Sequence, residues 1–313
     1  MRANLFLHPD TFIYNKTDTW QQIAEKLSAL VTDMRMIITD FKEENSFKVP
    51  TSLCSIHLYS KKTIIDMAEE CLEHDQKGIF YTMLSDTSES YDIPLDELKN
   101  NCKYDPNETE VNSIVEFNAS NKKTDNEYIS FDNYTVVYNK QTWMCLRRQI
   151  LGNHPGTPNS FIEECRKYFP KIAFHSNCIK SLEDKNYKYL EIVPRKLVYY
   201  LSCLNDKFHE IVKPHANAND VLKEFSGKYG LDESGSLERN PSKKSKLSFD
   251  FLDKNNNTRE ICCEPHLKIS QPDSNHQEEN VNYSTFHPRI YFHFGSPDIE
   301  EGKILVGSIG EHL

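Results

Sequence analysis

Apolar residues keep a helical spacing through much of the chain and switch to a period of two from Lys246 onward. The change of period predicts helices first and an antiparallel sheet last. A short strand is expected at residues 4–8, ending at Pro9. A helix from Thr19 to Phe41 follows from the spacing of Ile23, Leu27, Leu30, Val31, Met34 and Ile37, with Thr17 or Asp18 as its cap. A second helix is expected from Thr63 to Glu73. Residues 85–126 are acidic and rich in asparagine and read as loop, with one strand at Ser113 to Phe117 and another at Asn133 to Asn139.

The middle of the chain is more helical. Thr157 caps a helix from Pro158 to Phe169, and Pro194 suits the first turn of one running to Ile211. Asn219 is the expected cap of a helix from Asp220 to Tyr229, stopped by Gly230. Beyond Lys246, four strands are expected: 247–253, 259–264 extended by 265–270, 289–294 and 303–309. They read as a four-stranded antiparallel meander. The expected domains are an N-terminal α+β domain at 1–155, of unknown role, and a helical segment plus sheet at 156–313.

Alternation places Glu264, His266 and Lys268 on one face of the second of these strands, and Arg289, Tyr291 and His293 on one face of the third. If the apolar faces share a core, the polar faces coincide. Such a set suits cleavage of a phosphodiester: a carboxylate or neutral histidine takes a proton, arginine and lysine hold the phosphoryl group, and a second histidine protonates the leaving oxygen. RNA supplies its own nucleophile, the 2′-hydroxyl, so no metal or other cofactor is expected. Gly307, on the last strand, would let a ligand approach the backbone. The plainer reading is a solvated sheet face with exposed cross-strand pairs. Pro265 marks an edge or a bulge.

Composition narrows the classes. The chain has 313 residues and a net charge of −10, which is not the footprint of a protein that coats nucleic acid. Ten glycines and the lack of a G-x-G-x-x-G or Walker-type motif argue against a phosphate-cradling loop. Nine cysteines without C-x-x-C spacing suggest free thiols. Neither a signal peptide nor an apolar run of membrane-spanning length is read, so a cytoplasmic protein with no membrane partner is expected.

Arg289-Ile290-Tyr291-Phe292, a turn, and then the run from Lys303 to His312 resemble the closing half of RelE/YoeB-type toxins, bacterial ribonucleases that cut messenger RNA, generally on the ribosome. The resemblance covers the last 70 to 90 residues and implies a RelE-like sheet domain. It equates Arg289 with the family's arginine at the start of the penultimate strand. His312 matches its histidine next to the C-terminal residue, and Glu264 its general base. It departs in ending on Leu313 where the family often has tyrosine. Residues 241–313 also hold eight basic against eleven acidic residues, where the family is usually basic.

The implied function is a metal-independent endoribonuclease, a toxin or phage-defence effector. Glu264 would be the base, His312 or His293 the acid, Arg289 and Lys268 the phosphoryl stabilisers, and His266 and Tyr291 the substrate-positioning residues. RNA, free or ribosome-bound, is the implied partner, with a protein partner or inhibitor as a second. The alternatives are a non-catalytic binding or assembly subunit and a metal-dependent nuclease. The latter would use Asp250 or Asp253 with Glu264 and Lys268, or a zinc ion on His266, His293 and Glu264. Arg147 and Arg148, followed by His154, form a further polar spot that reads as a helix end. The loop 230–237 is placed to cover the sheet face.

Overall fold

The structure, a computed structural model, describes the chain apart from residues 56, 86–87, 104–109, 117–134, 184–187, 213–216, 239, 271–272, 274–286 and 312–313. It divides into two compact units, 1–147 and 148–313, and is mixed α and β throughout.

The first unit is built on strands β1 (Ala3–Leu7), β2 (Asn45–Pro50), β5 (Ser88–Tyr91), β6 (Val111–Val115) and β7 (Val136–Val137), with a small hairpin of β3 (His57–Tyr59) and β4 (Lys62–Thr63). The five strands lie in the order β5-β2-β1-β6-β7 and every pair is parallel. Parallel neighbours need crossovers. Helix α1 (Trp20–Arg35) links β1 to β2, helices α2 (Ile64–Cys71) and α3 (His74–Ser85) link β2 to β5, and α4 (Leu95–Asn101) links β5 to β6. Helix α1 buries the expected stripe of Ile23, Leu27, Leu30, Val31 and Met34, then changes to a wider π-turn at Met36–Asp40. Thr63 caps α2 in a reciprocal pair with Asp66.

The acidic stretch read mostly as loop holds β5 and α4 besides β6, which overlaps the strand expected at Ser113 to Phe117. Leu98 on α4 is fully buried with Phe6, Tyr91, Cys102 and Ile114, and Leu95 packs against the same cluster, so two leucines three residues apart anchor a helix whose other positions are polar.

The second unit holds α6 (Pro158–Tyr168), α7 (Asn177–Leu182), α8 (Tyr189–Ile192), α9 (Pro194–Ile211), α10 (Ala218–Lys228) and α11 (Pro241–Lys244). It is preceded by α5 (Lys140–Asn153), in which the division falls. Thr157 caps α6 as expected, whereas Asn217 rather than Asn219 caps α10. The main sheet contains β8 (Ile172–Phe174), β9 (Ser236–Leu237), β12 (Pro265–Lys268), β13 (Arg289–His293) and β14 (Ile304–Gly310), in the order β8-β14-β13-β12-β9. The pairs β12–β13, β13–β14 and β12–β9 are antiparallel and β8 adds in parallel to β14.

This differs from a four-stranded meander. Strands β10 (Ser248–Leu252) and β11 (Thr258–Cys262) form a separate hairpin. The chain leaves strand geometry at Cys263 and Glu264, and β12 starts afresh at Pro265. Two layers cover the main sheet. On one side Phe208 of α9 meets Phe292 and Phe294 edge-on, with ring centres 5.3 and 4.9 Å apart. On the other, Phe249 and Phe251 of the hairpin pack with Leu247, Cys263, Tyr291, Ile299 and Leu305. Gly307 serves this packing. A Cβ there would lie 2.2 Å from the Phe249 ring, so the space expected for a ligand holds an aromatic side chain.

Candidate functional site

The register of the sheet brings most of the expected residues together. His266 lies opposite Tyr291 and Lys268 opposite Arg289. Tyr291 lies opposite Ser308, Arg289 opposite Gly310, and Ser236 of the edge strand opposite His266. Ser236, His266, Tyr291 and Ser308 therefore form one row across four strands, with Lys268 and Arg289 in the next.

Two cations stand directly opposite each other, an arrangement that repels. Arg289 is half-buried, and its Nη1 donates to the His287 carbonyl at 2.8 Å. Its Nε is buried with no hydrogen-bond partner. Burial lowers the pKa of this guanidinium, with Tyr291, Glu233 and Glu238 acting in the opposite sense. Glu233 Oε2 lies 3.9 Å from Lys268 Nζ, and Glu238 accepts from the Asn240 amide at 2.9 Å. Glu233 lies in the 230–237 loop that was expected to cover the sheet face, and Glu238 follows directly after it.

His266 is 3% exposed, and both ring nitrogens are engaged. Nδ1 lies 3.1 Å from the Glu264 carbonyl oxygen, and Nε2 lies 3.1 Å from Ser236 Oγ. A carbonyl only accepts, so Nδ1 carries the hydrogen and Nε2 accepts from the serine hydroxyl. Burial is the main cause that pushes the imidazole pKa down to about 4, and Arg289 and Lys268 add to it. At neutral pH the ring is uncharged and its tautomer is fixed.

Three expected roles fit the geometry less well. Glu264 Oε2 is 2.5 Å from Lys244 Nζ; this ion pair binds the carboxylate that was expected to act as base. Tyr291 is fully buried, 5.0 Å from the His266 ring and within the hairpin's aromatic cluster, so it lines the floor of the site and cannot stack on a base. His293 lies four residues from Arg289, roughly 13 Å along the strand, and its Nδ1 accepts from the Gly295 amide at 3.1 Å. His312 lies outside the described residues.

Sequence reasoning missed Ser236, Glu238 and Ser308. Ser308 is 1% exposed and its hydroxyl has no hydrogen-bond partner. Its alternation with Val306 does not signal the face, because the register shifts between Tyr291 and Phe292. Two residues, Ser236 and Leu237, are too short a strand to show a period.

The other candidates occupy structural places. Asp253 accepts from the amides of Asn255 and Asn257 and pairs with Arg259, which lowers its pKa to about 2. With Asp250 it lies on the hairpin strand and its turn. Arg147 donates to the carbonyls of Met1 and Glu44. Arg148 is held by both carboxylate oxygens of Asp206. Among the described residues, no three of His, Cys, Asp and Glu cluster as metal ligands, and no helix is long and apolar enough to cross a membrane.

No protein-family model matches the chain, and comparison with curated proteins and with solved structures gives no match.

Proposed function

We propose that the second unit is a metal-independent endoribonuclease whose substrate phosphate binds between Lys268 and Arg289. The observation that supports it is the direct cross-strand pairing of these cations beside a neutral, tautomer-fixed imidazole. A phosphodiester relieves their repulsion and gives the half-buried guanidinium a charge-assisted partner. His266 Nε2, which now accepts from Ser236, accepts instead from the RNA 2′-hydroxyl. The 2′-oxygen bonds to phosphorus, the bond to the 5′-oxygen breaks, and the Lys268 ammonium protonates the leaving oxygen. The products are a 2′,3′-cyclic phosphate and a free 5′-hydroxyl. His266 replaces Glu264 as the base because Lys244 binds the carboxylate. The RelE/YoeB-like effector role, with ribosome-bound RNA as its setting and a protein inhibitor as its control, belongs to the same proposal.

The test is incubation of the full chain with an end-labelled RNA oligonucleotide in the presence of EDTA. Fragments ending in 2′,3′-cyclic phosphate are expected, and Arg289→Ala reduces their rate by at least about 100-fold. An intact oligonucleotide would contradict cleavage.

A second reading is a subunit that binds RNA or a partner without cutting. The Lys244–Glu264 ion pair and the burial of Tyr291 favour it. Retention of RNA with no fragments would select it.

A further inference from the structure

The edge strand β9 brings a hydroxyl to the one nitrogen of His266 that is free of hydrogen. Ser236 Oγ lies 3.1 Å from Nε2, and the carbonyl of Glu264 fixes the ring from its other side at 3.1 Å. Nucleophile, base and orienting acceptor in sequence are the arrangement of an activated serine. The local chain is shaped for this approach. A Cβ on Gly235 would come within 3.1 Å of the His266 carbonyl and of Leu267, and within 3.3 Å of Leu222, so glycine lets the strand close on β12 without displacing these neighbours. The Gly235 amide donates to Ser226 Oγ at 2.8 Å, which ties the segment to α10. Ser236 remains partly exposed while His266 is buried. Lys268 and Arg289 are the next cross-strand pair along the sheet, and cations in that place favour negative charge on a phosphoryl group.

We propose that Ser236 is a covalent nucleophile that takes the phosphoryl group of a phosphate ester, with His266 as its base. Ser236 Oγ bonds to phosphorus and gives its proton to His266 Nε2. The ester's P–O bond breaks, and the leaving oxygen takes the bonding pair together with the proton from the imidazolium. Water then bonds to the phosphorus of the serine phosphoester and gives a proton to His266 Nε2; the Oγ–P bond breaks, Ser236 Oγ takes the pair and the proton back, and the phosphate product leaves. The inference rests on the anion site and the base of the ribonuclease reading but uses neither its RNA substrate nor its 2′-hydroxyl, so covalent labelling tests it apart from RNA cleavage.

The probe is an alkyl fluorophosphonate, applied to the full chain and read by intact mass and peptide mapping. Attack by Ser236 forms an O–P bond and releases fluoride. One adduct on the Ser236 peptide is expected. Ser236→Ala abolishes it, Ser234→Ala leaves it unchanged, and His266→Gln slows it by at least about 100-fold. If His266→Gln fails to fold, by thermal melting, the serine pair alone decides. An unmodified Ser236 in the folded protein, or an equal rate in folded His266→Gln, would overturn the proposal. The class of substrate is read from bis(p-nitrophenyl) phosphate and p-nitrophenyl acetate. Release of nitrophenol from the phosphate supports it, and release from the acetate alone would overturn the phosphate assignment.

Discussion

At the scale of single residues, the account rests on His266. Its pKa falls from the ordinary 6.5 to about 4 because it is buried beside two cations. The unfolded chain therefore binds more protons than the folded one between these values. Stability contributed by neutral His266 is complete above about pH 6.5 and is lost as the pH falls toward 4, on the order of 3 kcal/mol in all. Denaturation with urea at pH 7 and pH 4.5 measures this. His266→Asn is expected to flatten the difference, while His175 and His293, whose pKa values are also lowered by burial, leave a residual slope. Arg289, Lys268 and His266 were legible as a group because alternation fixes the face of a strand. Glu264 was not legible in the same way, because it sits in the break between β11 and β12, where alternation no longer says where a side chain goes. Its partner Lys244 comes from a short helix that no periodicity announces.

At the scale of elements, the hairpin β10–β11 decides what the sheet face becomes. Alternating residues of β10, Phe249 and Phe251, turn toward the main sheet and draw Tyr291 of the expected polar face into a second core. The period of two in this segment was legible; its pairing was not, because any of the four strands presents an apolar face that another can cover. Gly307→Ala tests the packing. The added methyl meets the Phe249 ring, and a loss of about 1–3 kcal/mol is expected in chemical denaturation. On the opposite layer, Phe208→Ala removes the ring between Phe225, Phe292 and Phe294, with an expected cost of about 3–5 kcal/mol. Helices with caps and stripes, such as α1, α2, α6 and α9, could be read directly. Helix α4 could not, because Leu95 and Leu98 are its two apolar positions and seven residues are too few to show a period.

At the scale of the whole molecule, two units of different construction share one chain. The first is an alternation of parallel strands and helices whose strand order reverses between β1 and β6. Only β1, β6 and β7 were visible as strands in the sequence, since β2 and β5 carry lysine, glutamate and serines among their few apolar positions. The second unit holds the paired cations. A net charge of −10 repels RNA at long range, so the proposed RNA binding draws on this local site and is expected to respond to salt. The most direct measurement is fluorescence anisotropy of a labelled 2′-O-methyl RNA oligonucleotide, which cannot be cut by 2′-hydroxyl attack, titrated with the full chain at several salt concentrations. The account predicts saturable binding that weakens at least about tenfold in Lys268→Ala and in Arg289→Ala, with the salt slope reduced by roughly 0.7 for each contact removed. Equal affinity and equal slope for wild type and both variants, each shown to be folded, would contradict it.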